Sequence, residues 1–422
     1  MHSIHIQKVA MSSSPTPQAP AKISFGLSPA LIVTLASLTA IGPLGIDMYL
    51  ASIPQIATDL NTSAAAAQMT LSAFMLGMAL GQFVIGPLSD KTGRRVPILI
   101  GSVVCFAATA LCAFSPNIEV FIAARFIMGF SGAAGSVLAR SIVADTTTGL
   151  ATAKLMGIMM MINGFAPVLA PLFGGWILSW GTWRTVFNVL TVVTALLMLA
   201  VLFFVRETLP VERRLSGSVL HAYSGVPVVL KKRRYVGFML TMSFAFGALF
   251  SYISGSTFVL QNVLGMDPGQ FTIVFGINSF GIVAMSSLAT NLVGKVGQRT
   301  VLNVGVSSLL VVASLLVASF SFGINYWVTL VLLFALTCSV GLIFGNSSAL
   351  AIAEAREVAG SASAVMGTIQ ALIGGIAAPL VSLGGEHAYM PMGISILGFA
   401  ALTALMLWTT PRLSSDFSAD GK

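Results

Sequence analysis

This chain of 422 residues is short of charge: 21 Lys and Arg with 13 Asp and Glu make up 8% of it, against about 25% in soluble chains. A soluble domain of this size needs about three times as many charges to cover its surface. Other absences narrow the chemistry. The three cysteines, Cys105, Cys112 and Cys338, all fall inside apolar runs, with no spacing for a disulfide framework or a metal site. The four histidines, His2, His5, His221 and His387, all fall outside those runs, so no His, Cys or acid cluster supports a membrane-embedded enzyme. No GxxxxGK[ST] phosphate loop is present, which excludes an ATP-driven pump. The first 25 residues are Ser- and Pro-rich without a short apolar core and cleavage site, and read as a disordered tail rather than a secretory leader. The net charge of +8 is dispersed in short clusters between apolar runs, which argues against nucleic acid as a partner.

What is present is hydrophobic length. Residues of hydrophobic type make 56% of the chain, and runs of about 20 are long enough to cross a bilayer core. Twelve such runs are expected at about 27–50, 67–89, 97–115, 119–143, 153–178, 185–205, 236–258, 271–292, 300–320, 326–350, 360–382 and 391–409. Lys and Arg mark cytoplasmic loops. With the amino terminus inside, all of the 21 basic residues except Arg184 and Arg125 fall on the cytoplasmic side, while Asp59, Glu119, Asp267 and Glu386 fall outside. The expectation is an all-α membrane protein of twelve transmembrane helices with both termini cytoplasmic. It divides into a tail (1–26), a six-helix half (27–205), a basic linker (206–235), a second six-helix half (236–409) and a tail (410–422). The halves repeat at an offset of 210: "LMG" at 155 returns as "VMG" at 365, Gly164 matches Gly374, and Gly174 and Gly175 match Gly384 and Gly385. The loop "GRRVPIL" at 93 has a worn counterpart, "GQRTVLN", at 297. An offset of six spans puts both halves in the membrane in the same sense, with a substrate site expected between them.

Two spans carry charge where charge is costly. Asp47 lies 20 residues along the first run from Leu27, and Arg125 lies 20 residues back from Asp145 along the fourth, so at about 1.5 Å per residue they share a depth. Gly129, Gly132 and Ser136 lie near the Arg125 face and permit close helix contact. A charge inside a span costs about 2.5 to 3.5 kcal/mol on insertion scales, so it faces the interior or a partner. No other charge falls inside a span away from its ends, which makes Asp47 and Arg125 the candidates for an embedded pair. Desolvation disfavours a charged carboxyl and a neighbouring Arg favours it, so changing hydration suits Asp47 to carry protons. Tyr49, Asn163, Gln261 and Asn278 are candidates for a substrate cavity, and at most part of Met159, Met160 and Met161 can face one.

The loop "GPLSDKTGRRVPIL" (86–99) combines Gly86 for close helix approach, Gly93 for a tight turn, and Arg94 and Arg95 in the anionic interface around Asp90. It resembles the signature loop of the major facilitator superfamily. The resemblance implies that fold, and implies that Asp90 latches the two halves through Arg140 and the start of the eleventh span at 360–363. The fifth span, "GIMMMINGFAPVLAPLFGGWI" (157–177), sets Pro167 and Pro171 on one face with Gly164, Gly174 and Gly175 nearby. It resembles the antiporter motif of exporters in that superfamily, with Ala166 where a glycine usually precedes the proline. With "DMYLASIP" (47–54), "WRTVF" (183–187), "RETLPVERR" (206–214) and "FSYISGSTFV" (250–259), the chain from residue 27 onward is similar to the bicyclomycin-resistance (Bcr/CflA) branch of the drug:proton antiporters, though Ala51 replaces a proline usual there. The resemblance implies proton-coupled efflux of small amphipathic drugs across the bacterial cytoplasmic (inner) membrane by a monomer driven by the proton gradient, with no cofactor and no metal. Export of a nucleoside, sugar or amino-acid derivative is the alternative. A passive channel would not accumulate substrate under an imposed pH difference.

Overall fold

The structure, a computed structural model, describes residues 27–214, 223, 225–383, 385 and 389–412. The expected tail at 1–26, part of the linker, Gly384, Glu386, His221, His387 and most of the last segment lie outside them. Every described element is helical. Helices begin where Ser, Asn or Asp can bond the free amides of the first turn. Ser28 and Ser63 accept from Leu31 and Ala66 at 3.2 Å, Asn117 from Val120 at 2.9 Å and Asn325 from Val328 at 3.1 Å. Asp267 and Gln270 form a reciprocal capping box.

The helices are α1 (Pro29–Asp47), α2 (Ile53–Asp59), α3 (Ala64–Thr92), α4 (Arg95–Ala113), α5 (Ile118–Thr146), α6 (Gly149–Leu178), α7 (Trp183–Phe204) and α8 (Gly225–Lys231), then α9 (Arg233–Phe258), α10 (Pro268–Val296), α11 (Gln298–Ser321), α12 (Tyr326–Glu354), α13 (Ala359–Ser382) and α14 (Met390–Thr409). Eleven spans among the described residues are long and apolar enough to cross a membrane, α1 and α2 counting as one. The expected twelfth corresponds to α6. Its backbone is one helix of 30 residues, but several of its side chains lie outside the described residues, and the continuous apolar stretch is Phe165–Leu178. Trp176, Trp180, Trp327 and Trp408 are exposed near helix ends, the placement that suits an aromatic belt at a membrane interface.

Packing repeats between the two groups of helices. α1 packs on α5, α6 and α7, α3 on α5, and α4 on α5 and α7. In the second group α9 packs on α12, α13 and α14, α10 on α12, and α11 on α12 and α14. These are the same pairs, each helix replaced by its repeat counterpart. The groups meet chiefly through α3 on α13 and α6 on α10, which are counterparts of each other.

Glycine sets the closest approaches. A Cβ on Gly129 of α5 would collide with the Phe74 carbonyl of α3, and one on Gly77 of α3 with the Phe126 carbonyl of α5. Gly86 differs from expectation: a Cβ there meets only Val137 Cγ1, at an ordinary 3.6 Å. Gly93 does make the tight turn, at φ +95°. Gly129→Ala is therefore expected to lower the thermal stability of the detergent-solubilised protein by about 1–3 kcal/mol, since backbone cannot move aside as a side chain can. Gly86→Ala in the same melting experiment should match the parent.

Candidate functional site

The first transmembrane helix is interrupted beside Asp47. Met48 N–H donates to Leu44 O and closes the regular part of α1, and residues Leu50–Ser52 then form a 3-10 turn before α2. Both the amide and the hydroxyl of Ser52 donate to Tyr49 O, at 2.9 and 2.6 Å. Pro54, without an N–H, cannot bond Leu50 O. The interruption thus forms although Ala51 stands where a proline was expected.

Carbonyls in the last turn of a helix lack helical partners. One of them, Gly45 O, accepts from Arg125 Nη1 at 2.8 Å. A cation at a helix C-terminus also complements the macrodipole. Arg125 is fully buried, with its guanidinium carbon 4.3 Å from the Tyr49 ring centre, 4.5 Å from Phe74 and 5.8 Å from Phe187. A desolvated guanidinium over such faces gains about 2 kcal/mol.

Arg125 and Asp47 share the expected depth, yet no ion pair joins them. The reason is helical geometry. Two residues along a helix is about 200° around it, and Gly45 faces inward: a Cβ there would lie 3.1 Å from Phe74 and 3.2 Å from Met128. Asp47 therefore points the other way. The residue is 4% exposed, and its carboxyl has no hydrogen-bond partner among the described residues and lies within electrostatic range of Tyr252 in α9 of the other group.

The remaining candidates sort by contact. Tyr49 is a core residue, its hydroxyl 2.9 Å from Thr70 Oγ1. Asn278 donates to the Tyr252 hydroxyl at 2.8 Å, and both are buried. Gln261 sits in a π-helical turn, Val259–Val263, and donates to Ala51 O at 3.1 Å, while Gln68 donates to Ser254 O at 3.2 Å. Both glutamine bonds cross between the groups and seal the end of the interface that carries Asp47. On α6 the helix runs through Pro167 and Pro171 without a break. A Cβ on Gly174 would occupy the Met48 carbonyl, and one on Gly175 would collide with the Thr272 side chain of α10, so this pair admits the end of α1 at backbone distance and the Thr272 side chain beside it. The side-chain surroundings of Asn163 and Gly164 lie outside the described residues. Met159 is buried and Met161 exposed.

The opposite end carries Asp90. Arg94 Nη1 contacts Asp90 Oδ1 at 2.5 Å and Ser89 Oγ at 2.6 Å, while its Nε reaches Asp145 Oδ2 at 2.8 Å. The implied partners are not engaged here. Arg140 Nε instead donates to Ser136 O at 2.9 Å, and a Cβ on Gly360 would meet nothing within 4 Å. Two residues that sequence reasoning did not single out complete this cluster, Asp145 and Glu207. Glu207 accepts from the amides of Arg94 at 2.8 Å, Arg95 at 3.3 Å, and Thr208 and Leu209 at 3.0 Å, so it caps α4 from a loop more than a hundred residues downstream. Arg95 lies in the first turn that Glu207 caps.

Two groups of helices with the same internal order, meeting across one interface that a buried acid faces, define a multi-pass membrane carrier rather than an enzyme. The chain matches the family model for the Major Facilitator Superfamily over residues 35–379. It belongs to the major facilitator superfamily, a family of transporters, and is a multi-pass protein of the bacterial inner membrane. It is similar to an uncharacterized MFS-type transporter, YdgK, of Bacillus subtilis, at 37% identity over 89% of this chain and 94% of that one. It is also similar to a bicyclomycin resistance protein homolog of Haemophilus influenzae, at 30% identity over 88% and 96%, and to the multidrug resistance protein MdtL of Salmonella dublin, at 28% over 90% and 94%. These relatives accord with the Bcr/CflA resemblance. Among solved structures, a D-xylose-proton symporter matches at a TM-score of 0.70 with 17% identity, over 93% of this chain and all of that one.

Burial disfavours the charge on Glu207, but the amides of Leu209, Arg94, Arg95 and Thr208 outweigh it and hold the carboxyl below its ordinary value. A carboxyl depressed by folding stabilises fully above its unfolded value of about 4.3 and loses that contribution as pH falls through the folded value. Glu207→Ala should cost about 0.5–2 kcal/mol at neutral pH, the range for a helix cap. The measurement is amide hydrogen exchange at Arg94 and Arg95, with variant and parent converging in acid.

Proposed function

We propose that the protein is a proton-coupled exporter of small amphipathic, drug-like molecules working by alternating access. In this reading twelve spans form two six-helix halves at 27–205 and 236–409, joined by the 206–235 linker, with both termini in the cytoplasm. The end sealed by Gln68 and Gln261 is then the outer one, and the arrangement is inward-facing. Asp47 carries the proton: it binds one arriving from outside as substrate leaves, and releases it inside when the site resets. Moving a carboxyl between dry and wet settings changes how readily it holds a proton. The observation that carries the reading is a buried acid without an ion-pair partner, turned toward the opposite half. The names of the bicyclomycin and multidrug resistance relatives support drugs as the cargo.

Arg125 supports Asp47 through the backbone of α1. In the outward-facing state Asp90 latches to Arg140 and 360–363, a contact of about 0.3–1 kcal/mol at an exposed helix start, weak enough to break every cycle. The antiporter glycines and prolines of α6 keep the outer seam tight. The gradient is the energy source, with no cofactor, and one copy suffices. Export of a nucleoside, sugar or amino-acid derivative is the second reading, because Asp47 is the one acid in a span away from the span's ends and suits any weakly charged cargo.

The test is accumulation in liposomes under an imposed pH difference, with and without an uncoupler, across amphipathic antibiotics beginning with bicyclomycin and across the metabolite classes. Asp47→Asn is expected to reduce driven accumulation to the level seen with uncoupler, and Asp47→Glu to retain part of it. Undiminished driven transport by Asp47→Asn contradicts the reading, and driven transport of metabolites alone selects the second one.

A further inference from the structure

Three carbonyls around Asp47 and the interrupted segment make close contacts, and they are not equivalent. Gly45 O is bonded by Arg125 and Met48 O lies against Gly174, so both belong to contacts inside the first half. Ala51 O is bonded by Gln261, which comes from the other half. In the first helices of the two halves the repeat offset is 204, Pro29–Asp59 against Arg233–Val263, so Ala51 corresponds to Gly255 and the bond joins positions that the repeat does not pair. It also joins the two irregular turns, the 3-10 turn Leu50–Ser52 and the π-helical turn Val259–Val263. Irregular backbone at membrane depth is tolerated where it is buried in protein or lines a cavity, and π turns inside helices recur at functional positions. No other hydrogen bond from the second half reaches residues 47–54 among the described residues. When the halves part at this end, the Gln261 bond must break, and the Asp47 segment loses its tether to α9.

We propose that Gln261 is a positioning residue that couples Asp47 to the gate: its bond to Ala51 O makes the closed seam and the dry setting of Asp47 one event. The inference rests on Asp47 as the proton carrier. Gln68 serves as the internal comparison, since its bond to Ser254 O crosses the same seam without touching α1. The charged and titratable groups around Asp47 are few. Tyr252 from α9 lies within electrostatic range of it, while Arg125 of α5 is bonded to Gly45 O and stacked over Tyr49, on the other side of α1. Lys154 and Lys295 lie at the far ends of α6 and α10, Arg184 of α7 turns to the carbonyls of Ala113 and Ser115, and Asp267 caps α10.

The two roles differ in a measurable way. Loss of a bond that only seals shifts the open-to-sealed ratio by one factor at every pH. Loss of a bond that couples shrinks the change in that ratio between low and high pH, because Asp47 no longer has distinct settings in the two states. The measurement needs no substrate: pulsed electron paramagnetic resonance between spin labels at Asn61→Cys and Gly269→Cys, with the three native cysteines replaced, in nanodiscs across pH. Gln261→Met, similar in size but without a donor, should reduce the pH-driven change in the ratio about fivefold, the factor that one ordinary buried hydrogen bond corresponds to. Gln68→Met should offset the ratio and keep its pH-driven change. Gln261→Asn, one methylene too short to reach, replaces Gln261→Met if that variant fails to fold. A Gln261 variant that only offsets the ratio, or leaves it untouched, overturns the proposal. Asp47→Asn that keeps the full pH-driven change overturns the carrier reading itself, whatever Gln261 does.

Discussion

The guanidinium of Arg125 is buried inside the first half, with no water-facing atom and no carboxylate beside it. A charge in that setting is costly, and the structure offsets the cost with one helix-end carbonyl and three aromatic faces. Much of the first half follows from this. Gly45 O must be free to accept, so α1 ends there. Tyr49, Phe74 and Phe187 must stay in place, which fixes how α1, α3 and α7 meet around α5. Because Arg125 takes the Gly45 side of α1, Asp47 is left on the side that faces the second half.

The two ends of the interface between halves are built differently. At the Asp47 end the halves are joined by two neutral glutamine-to-carbonyl bonds and by the close contact of Gly175 with the Thr272 side chain. At the Asp90 end the ionic contacts stay inside single halves: Arg94 with Asp90 and Asp145 in the first, Arg234 with Glu354 in the second. Arg299, the counterpart of Arg95 in the worn loop repeat, donates to the carbonyls of Leu407, Thr410 and Pro411 and so ties down the end of α14. Each half is therefore fastened within itself at one end, and the fastening between halves is concentrated at the other. Bodies joined this way can rock, because the hydrogen bonds between them are neutral while the ion pairs stay within them.

Hydropathy and glycine spacing made much of this legible. The apolar runs match the described helices, because a bilayer leaves the backbone few alternatives to a helix. The shared depth of Asp47 and Arg125 followed from rise per residue, and it holds because Arg125 reaches Gly45, two positions away. What rise per residue does not convey is azimuth, so a pair at one depth turned out to face opposite ways around α1. Gly129 sits against backbone as its place beside Arg125 suggested, whereas Gly86 does not, since a glycine fits a close contact without requiring one. Glu207 was hidden by distance along the chain: an acid in a basic linker gives no sign that it caps α4. Gln261 read as a cavity residue because a polar side chain in a span has several uses, and only the fold shows which carbonyl it meets.

The central claim is that Arg125 bonds α1 through Gly45 O rather than through Asp47, and that Asp47 has no ion-pair partner among the described residues. The most direct measurement is the melting temperature of the purified Asp47→Asn variant at neutral pH, apart from any transport. An unpaired buried acid predicts a melting temperature equal to the parent or higher. If the variant melted as though about 3–5 kcal/mol had been lost, the penalty for removing one partner of a buried ion pair, then Asp47 would be the counter-ion of Arg125 and the account would be contradicted.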